Sequence, residues 1–166
     1  ILKDKAAFFS QTSFYKYVDR LQLKRSKPEK RKYPQGIRAN ATKKILHMDV
    51  TLFSPLDNTR IYLYFLVDNF SRFILNWKAS HEYSAKIAFK NIKEAYEQYE
   101  LEKMPAPIEL ITDGGPENKG AVDDYTGRPD INLQKIIAQH DIIFSNSMVE
   151  AVNKRIKYDF LFTTNL

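Results

Sequence analysis

The stretch ILHMDVTLFSPLDNTRIYLYFLVDNFSRFILNWKA, residues 45–79, decides the fold. It contains three runs rich in aromatic and branched side chains, 45–54, 60–68 and 72–79. Between them stand Pro55-Leu56-Asp57-Asn58-Thr59 and Asn69-Phe70-Ser71. Such runs read as strands and such interruptions as turns. Three strands with connections this short make an antiparallel meander. In a strand, successive side chains point to opposite faces. Leu46, Met48 and Val50 therefore share one face of the first strand, and Ile45, His47, Asp49 and Thr51 share the other. Asp49 is an acid set inside an otherwise apolar strand.

Downstream, residues 84–103 read as a helix with Ser84 as N-cap and Ala88, Ile92, Ala95, Tyr96 and Tyr99 on its buried face. Pro105 and Pro107 end it. Residues 108–112 read as a fourth strand, and a strand that follows a helical crossover adds in parallel. The remainder reads as a loop over 114–129, a short helix over 130–139, a fifth strand over 141–144 and a last helix over 147–161. The fold class is α/β, a mixed five-stranded sheet with three antiparallel strands, then parallel additions, flanked by helices. Upstream, Phe14, Tyr17, Val18 and Leu21 form one apolar stripe of a helix within residues 1–23, capped by Ser10 or Ser13. Residues 24–44 hold nine Lys and Arg against one acid, Glu29, and Pro28, Pro34 and Gly36 keep that stretch from being helical. Three regions follow: a helical region 1–25, a basic linker 26–43 and a core 44–166.

The 166 residues are 43% hydrophobic with eleven Phe and ten Tyr, which is enough apolar material for a core. The absence of cysteine excludes disulfides, zinc fingers and thiol catalysis, and is compatible with a reducing cytosol. No apolar run approaches the length of a membrane span, and no signal peptide is visible. The chain opens on Ile rather than Met, so flanking regions are expected. A net charge of +6 favours a polyanionic partner, although ordinary small domains also carry such a charge.

Three acidic residues carry the chemistry. Asp49 lies in the first strand. Asp113 closes the fourth strand against Gly114 and Gly115, and the carboxyl ends of strands in α/β sheets are where sites form. Glu150 stands early in the last helix. Asn153, Lys154 and Lys157 share its face, while Val149, Val152, Ile156 and Phe160 form an apolar stripe toward the sheet. Taken singly, each acid has a plainer reading: an edge-strand residue, an Asp-Gly turn, a surface Glu–Lys pair. His47 reads as a packed structural side chain. Brought to one point, the carboxylates repel, by roughly 4 kcal/mol per pair at about 4 Å and an effective dielectric of about 20. A divalent cation removes that cost and makes a phosphoryl-transfer catalyst.

Here the segments HMDVT (47–51), LITDGGPEN (110–118) and NSMVEAVNKRIK (146–157) resemble the catalytic core of retroviral integrases and bacterial insertion-sequence transposases, the DDE group with a ribonuclease H-like fold. Sixty-three residues separate Asp49 from Asp113, and thirty-six separate Asp113 from Glu150, close to that family's spacing of about thirty-five. Val67, Asp68, Ser71 and Arg72 resemble its second strand pair, and residues 11–25 look like the end of a helix-turn-helix region. The resemblance covers roughly residues 36–160.

It implies Asp49, Asp113 and Glu150 as catalytic, metal-binding residues holding two magnesium or manganese ions, with Asp49 bridging both. It implies that Lys157 contacts DNA, joined by Lys154, Asn153 and Asn118. The partners would be double-stranded DNA, as mobile-element ends and target, and further copies of the chain in a homo-oligomer. No membrane partner is implied, and the setting would be the bacterial cytoplasm. The segment HDIIFSNS before Glu150 lacks the proline often found there. Metal-dependent DNA strand cleavage and strand transfer is the leading reading. A ribonuclease H-like nuclease that only hydrolyses and a decayed DNA-binding remnant are the others. On the leading reading, Lys157→Ala weakens DNA binding and flattens its salt dependence by about one unit of slope. Titration over a range of ionic strengths checks this, and an unchanged slope argues against a phosphate contact there.

Overall fold

The computed structural model describes residues 10–22, 37–57, 59–138 and 147–163. The chain divides into two compact units, Ile1–Tyr33 and Pro34–Leu166. In the first, α1 spans Gln11–Arg20. Ser10 caps it, its hydroxyl accepting from the Ser13 amide at 3.2 Å. Arg20 in the last turn complements the helix dipole. The rest of the helical span expected over residues 1–23, and the linker up to residue 36, lie outside the described residues apart from the turn at 21–22.

The second unit is built on β1 (Ile45–Phe53), β2 (Ile61–Asp68), β3 (Ile74–Ser80), α2 (Ala85–Gln98), β4 (Ile108–Thr112), α3 (Ala121–Thr126), β5 (Leu133–Ile137) and α4 (Ser147–Ile156). The sheet order is β3-β2-β1-β4-β5. β1, β2 and β3 are antiparallel neighbours, and β4 and β5 add in parallel. This is the expected mixed five-stranded sheet. Ser84 caps α2 as expected, its hydroxyl accepting from the Lys86 amide at 3.2 Å.

The two faces of the sheet bury different things. On one, Leu46, Met48, Tyr64 and Leu66 pack with Ala88, Ile92 and Ala95 of α2 and Val122 and Tyr125 of α3. On the other, Phe53, Leu63, Phe65 and Val67 pack with Val149 of α4, supported by Met148, Val152 and Ile156. The alternation read in β1 therefore holds, and it turns Asp49 toward the α4 side. Phe160 departs from its expected place. It is 65% exposed, because the helix widens at Lys157–Leu161 into a π turn closed by the Phe162 amide on the Lys157 carbonyl at 2.8 Å. The wider turn shifts the stripe by one residue, so Leu161 packs on the apolar cluster instead.

Three boundaries also differ. α2 ends at Gln98; Glu100 then turns left-handed at φ +48, and Leu101–Lys103 form a 3-10 turn that buries Leu101. The short helix lies at Ala121–Thr126, inside the expected loop, and not at 130–139. Gly120 at φ +55 supplies the bend that starts it, and the Asp123 carboxylate accepts from the Gly120 amide at 3.0 Å. Residues 133–137 are the fifth strand, because β4 offers them a parallel partner. A strand at 141–144 lies outside the described residues.

The turn from β2 to β3 organises the entry into β1. Asp68 is 2% exposed. Its Oδ1 accepts from the Lys43 amide at 2.9 Å, and its Oδ2 from the amide and hydroxyl of Ser71 at 2.8 and 2.5 Å. Asn69 Oδ1 accepts from the Ala39 amide at 2.7 Å, which fixes its amide orientation. Asn69 Nδ2 then faces His47 Nε2 at 2.9 Å. His47 is fully buried and serves the structural role expected of it. Asp68→Ala strips a buried acceptor from three donors and is expected to destabilise the protein by about 2–4 kcal/mol. Urea unfolding monitored by circular dichroism measures it.

Candidate active site

The pairing of β1 with β4 aligns the first two acids. His47 lies opposite Ile111 in the parallel register. Asp49 and Asp113 each lie two residues beyond this pair, Asp113 just past the end of β4. Neighbouring strands lie about 4.8 Å apart, so the two side chains emerge close together. Glu150 arrives from α4, which the apolar contacts of Val149, Met148 and Val152 press onto the same sheet face.

Each strand acid is held by an asparagine amide. Asn153 Nδ2 donates to Asp49 Oδ2, joining α4 to β1. Asn118 Nδ2 donates to Asp113 Oδ1 at 2.6 Å, and the Gly115 amide donates to the same oxygen at 3.1 Å. Asn118 is fully buried and Asn153 is 6% exposed. Both were expected at DNA; here their amides face carboxylates. Lys154 is exposed and Lys157 partly so, with Glu150 exposed one turn before Lys154. The main chain of Asn118 is fixed as well, since Lys135 Nζ donates to its carbonyl and pairs with Asp123 at 2.5 Å.

Sequence reasoning missed a fourth acid. Glu117 is only 3% exposed. Its Oε1 accepts from Asn118 Nδ2 at 3.1 Å, and its Oε2 accepts from the Tyr83 hydroxyl. Pro116 opens a 3-10 turn over Pro116–Asn118 that rotates this side chain inward. Gly115 makes room for it: a Cβ there would lie 2.3 Å from Glu117 Oε2. The glycine pair was the available signal, since one of its members leaves space for a returning carboxylate.

The acids act on one another electrostatically. Asp49 is raised from 3.8 to about 7, first by burial, then by the charge of Asp113, with Glu150 and Glu117 adding to it and a backbone hydrogen bond opposing. Glu117 is also raised, chiefly by burial and then by Asp113, against the lowering effect of the Tyr83 hydrogen bond. Among the described residues, no three His, Cys, Asp or Glu side chains lie close enough to enclose a metal ion. The four acids therefore sense one another as charges without forming a closed cage.

Comparison with known proteins agrees with this architecture. A family model, integrase core domain, matches residues 39–149, and the chain belongs to that family. Among solved structures, it is similar to the cryo-EM structure of the simian T-cell lymphotropic virus intasome in complex with the PP2A regulatory subunit B56 gamma. The TM-score is 0.62 at 20% identity, over 83% of this chain and 49% of that one. It is also similar to the crystal structure of the catalytic domain of the Mos1 mariner transposase, with TM-score 0.50 at 13% identity over 74% and 72% of the two chains. The chain thus spans about half the length of the intasome chain it matches. No curated protein matches it. The shared fold is ribonuclease H-like, the mixed sheet with its helices.

The raised Asp49 has a consequence for stability. Between about pH 4 and 7 the folded protein keeps a proton that the unfolded chain has lost, so stability falls as pH rises through that window and stays low above it. Asp49→Asn is expected to raise the melting temperature at pH 8 while changing little at pH 4, both measured in EDTA. An equal shift at both pH values would mean that Asp49 is not perturbed.

Proposed function

We propose that this core carries out metal-dependent DNA strand cleavage and strand transfer, as a polynucleotidyl transferase, with Asp49, Asp113 and Glu150 as its catalytic, metal-holding residues. The observation that carries the proposal is the integrase-core match over residues 39–149, with Asp49 and Asp113 each oriented by a buried asparagine amide. Burial and the charges of Asp113, Glu150 and Glu117 push Asp49 up to about 7. A half-buried carboxylate among others is a standing electrostatic cost, and positive charge from outside the chain relieves it.

The donors suit a hard divalent cation. They are carboxylate oxygens, with no cysteine thiolate in the chain to favour zinc. Asn118 Oδ1 and Asn153 Oδ1 are buried beside them without a hydrogen-bond partner among the described residues. Asp49, Asp113 and Glu150 would hold two magnesium or manganese ions. Bound there, the ions supply Lewis-acid stabilisation of the phosphodiester and favour ionisation of water or a DNA 3′-hydroxyl.

The protein's own groups position the chemistry. The Asn153 amide occupies one oxygen of Asp49, and Asn118 with the Gly115 amide occupies one oxygen of Asp113. Each pin sets the direction of the remaining oxygen. Lys154 on α4 and Lys157 at the start of the π turn follow Glu150 and are suited to hold the phosphates of the strand being processed. Integrase cores serve elements with two DNA ends, so double-stranded DNA and further copies of this chain are the proposed partners. No helix among the described residues is long and apolar enough to cross a membrane.

In a strand-transfer assay with magnesium or manganese, the wild type is expected to cut the element end and join it to target DNA. Glu150→Gln abolishes both reactions, and Asn153→Ala lowers them about 10–100-fold by loosening Asp49. Cleavage without joining would identify a hydrolysing nuclease, and cleavage that persists in Glu150→Gln would remove that residue from the catalytic set.

A further inference from the structure

Tyr83 stands in the short connection between β3, which ends at Ser80, and α2, which starts at Ala85. Two anchors hold it. Its hydroxyl donates to Glu117 Oε2, and its ring lies 5.1 Å from the ring of Tyr62 at an interplanar angle of 40°. Glu117 cannot swing away easily, because it is folded back over Gly115 and held by Asn118 Nδ2, the same nitrogen that holds Asp113. With its tip and one flank fixed, Tyr83 is still 46% exposed. The orientation of an exposed ring is thus locked to the frame of the carboxylate site.

We infer that Tyr83 is a base-stacking residue at the rim of the site, with Glu117 as its positioning residue. It receives the face of a DNA base next to the phosphate under attack; this rests on the DNA reading above. Four carboxylates repel a phosphodiester, so an uncharged contact is the kind of grip that works beside them. A tyrosine face supplies one, and it tolerates any sequence because every base has a π-face. Inside a duplex both faces of a base are covered by its neighbours. The base taken is therefore at a strand end or displaced from the stack.

The test uses the whole chain and a short duplex with a single-stranded overhang, in calcium. 2-Aminopurine replaces each overhang position in turn. Binding is read by fluorescence anisotropy of an end label and stacking by 2-aminopurine quenching. The wild type is expected to quench at one position. Tyr83→Leu should lose that quenching and weaken binding roughly ten-fold. Tyr83→Phe keeps the ring without the tether, so it should quench at the same position with affinity lowered about two- to five-fold. Circular dichroism verifies the fold of both variants. If the wild type binds and Tyr83→Leu binds and quenches equally, the inference falls and the DNA reading stands. A Tyr83→Phe variant that loses the quenching as fully as Tyr83→Leu also overturns it. A wild type that binds no DNA overturns both.

Discussion

The parallel register of β1 against β4 is the constraint on which the site depends. It pairs His47 with Ile111, and so carries Asp49 and Asp113 out of the same end of the pair although sixty-three residues separate them in the chain. The register is itself enforced by the core. Leu46, Met48 and Leu110 are fully buried, and a slip of one residue would turn β1 over, moving Leu46 and Met48 out of the α2 side and placing Asp49 in its apolar cluster. Hydrophobic packing on one face of the sheet thereby fixes the position of charge on the other.

The helix that brings Glu150 is attached by two unlike contacts. Val149 and its neighbours bury apolar surface and supply most of the adhesion. The Asn153–Asp49 hydrogen bond adds little net energy but fixes how far the helix is advanced and rotated. The π turn at Lys157–Leu161 keeps Leu161 on the apolar cluster after that rotation is set. Asn118 does for Asp113 what Asn153 does for Asp49. In both cases a neutral amide orients a carboxylate without neutralising it, which leaves the charge available to a cation.

The site works against the stability of the fold. An acid raised to about 7 opposes folding above that pH, and Glu117 is raised beside it. Other contacts compensate at a distance from the acids, among them the Asp68 turn and the apolar layers on both sheet faces. A cation that binds the carboxylates of the folded state would shift this balance back, because anything that binds the native state alone stabilises it.

Local pattern made much of the chain legible. The period of two in residues 45–79, the helical spacing behind Ser84 and the turn residues between them determined β1 to β3 and α2, because these elements are long enough for pattern to outweigh local ambiguity, while the short β4 was legible only through Pro105 and Pro107 before it and the helical crossover. The acids Asp49, Asp113 and Glu150 stood out because a charge in an apolar setting needs a reason. The short α3 and β5 were misplaced, since a five- or six-residue element carries too little pattern and takes its identity from its partner. Tertiary structure alone decided that Asn118 and Asn153 face carboxylates, that Glu117 is buried and that Tyr83 is its donor. Sequence shows what a side chain can bond. Which partner it meets, and whether water can compete, depends on segments that only the folded sheet brings together.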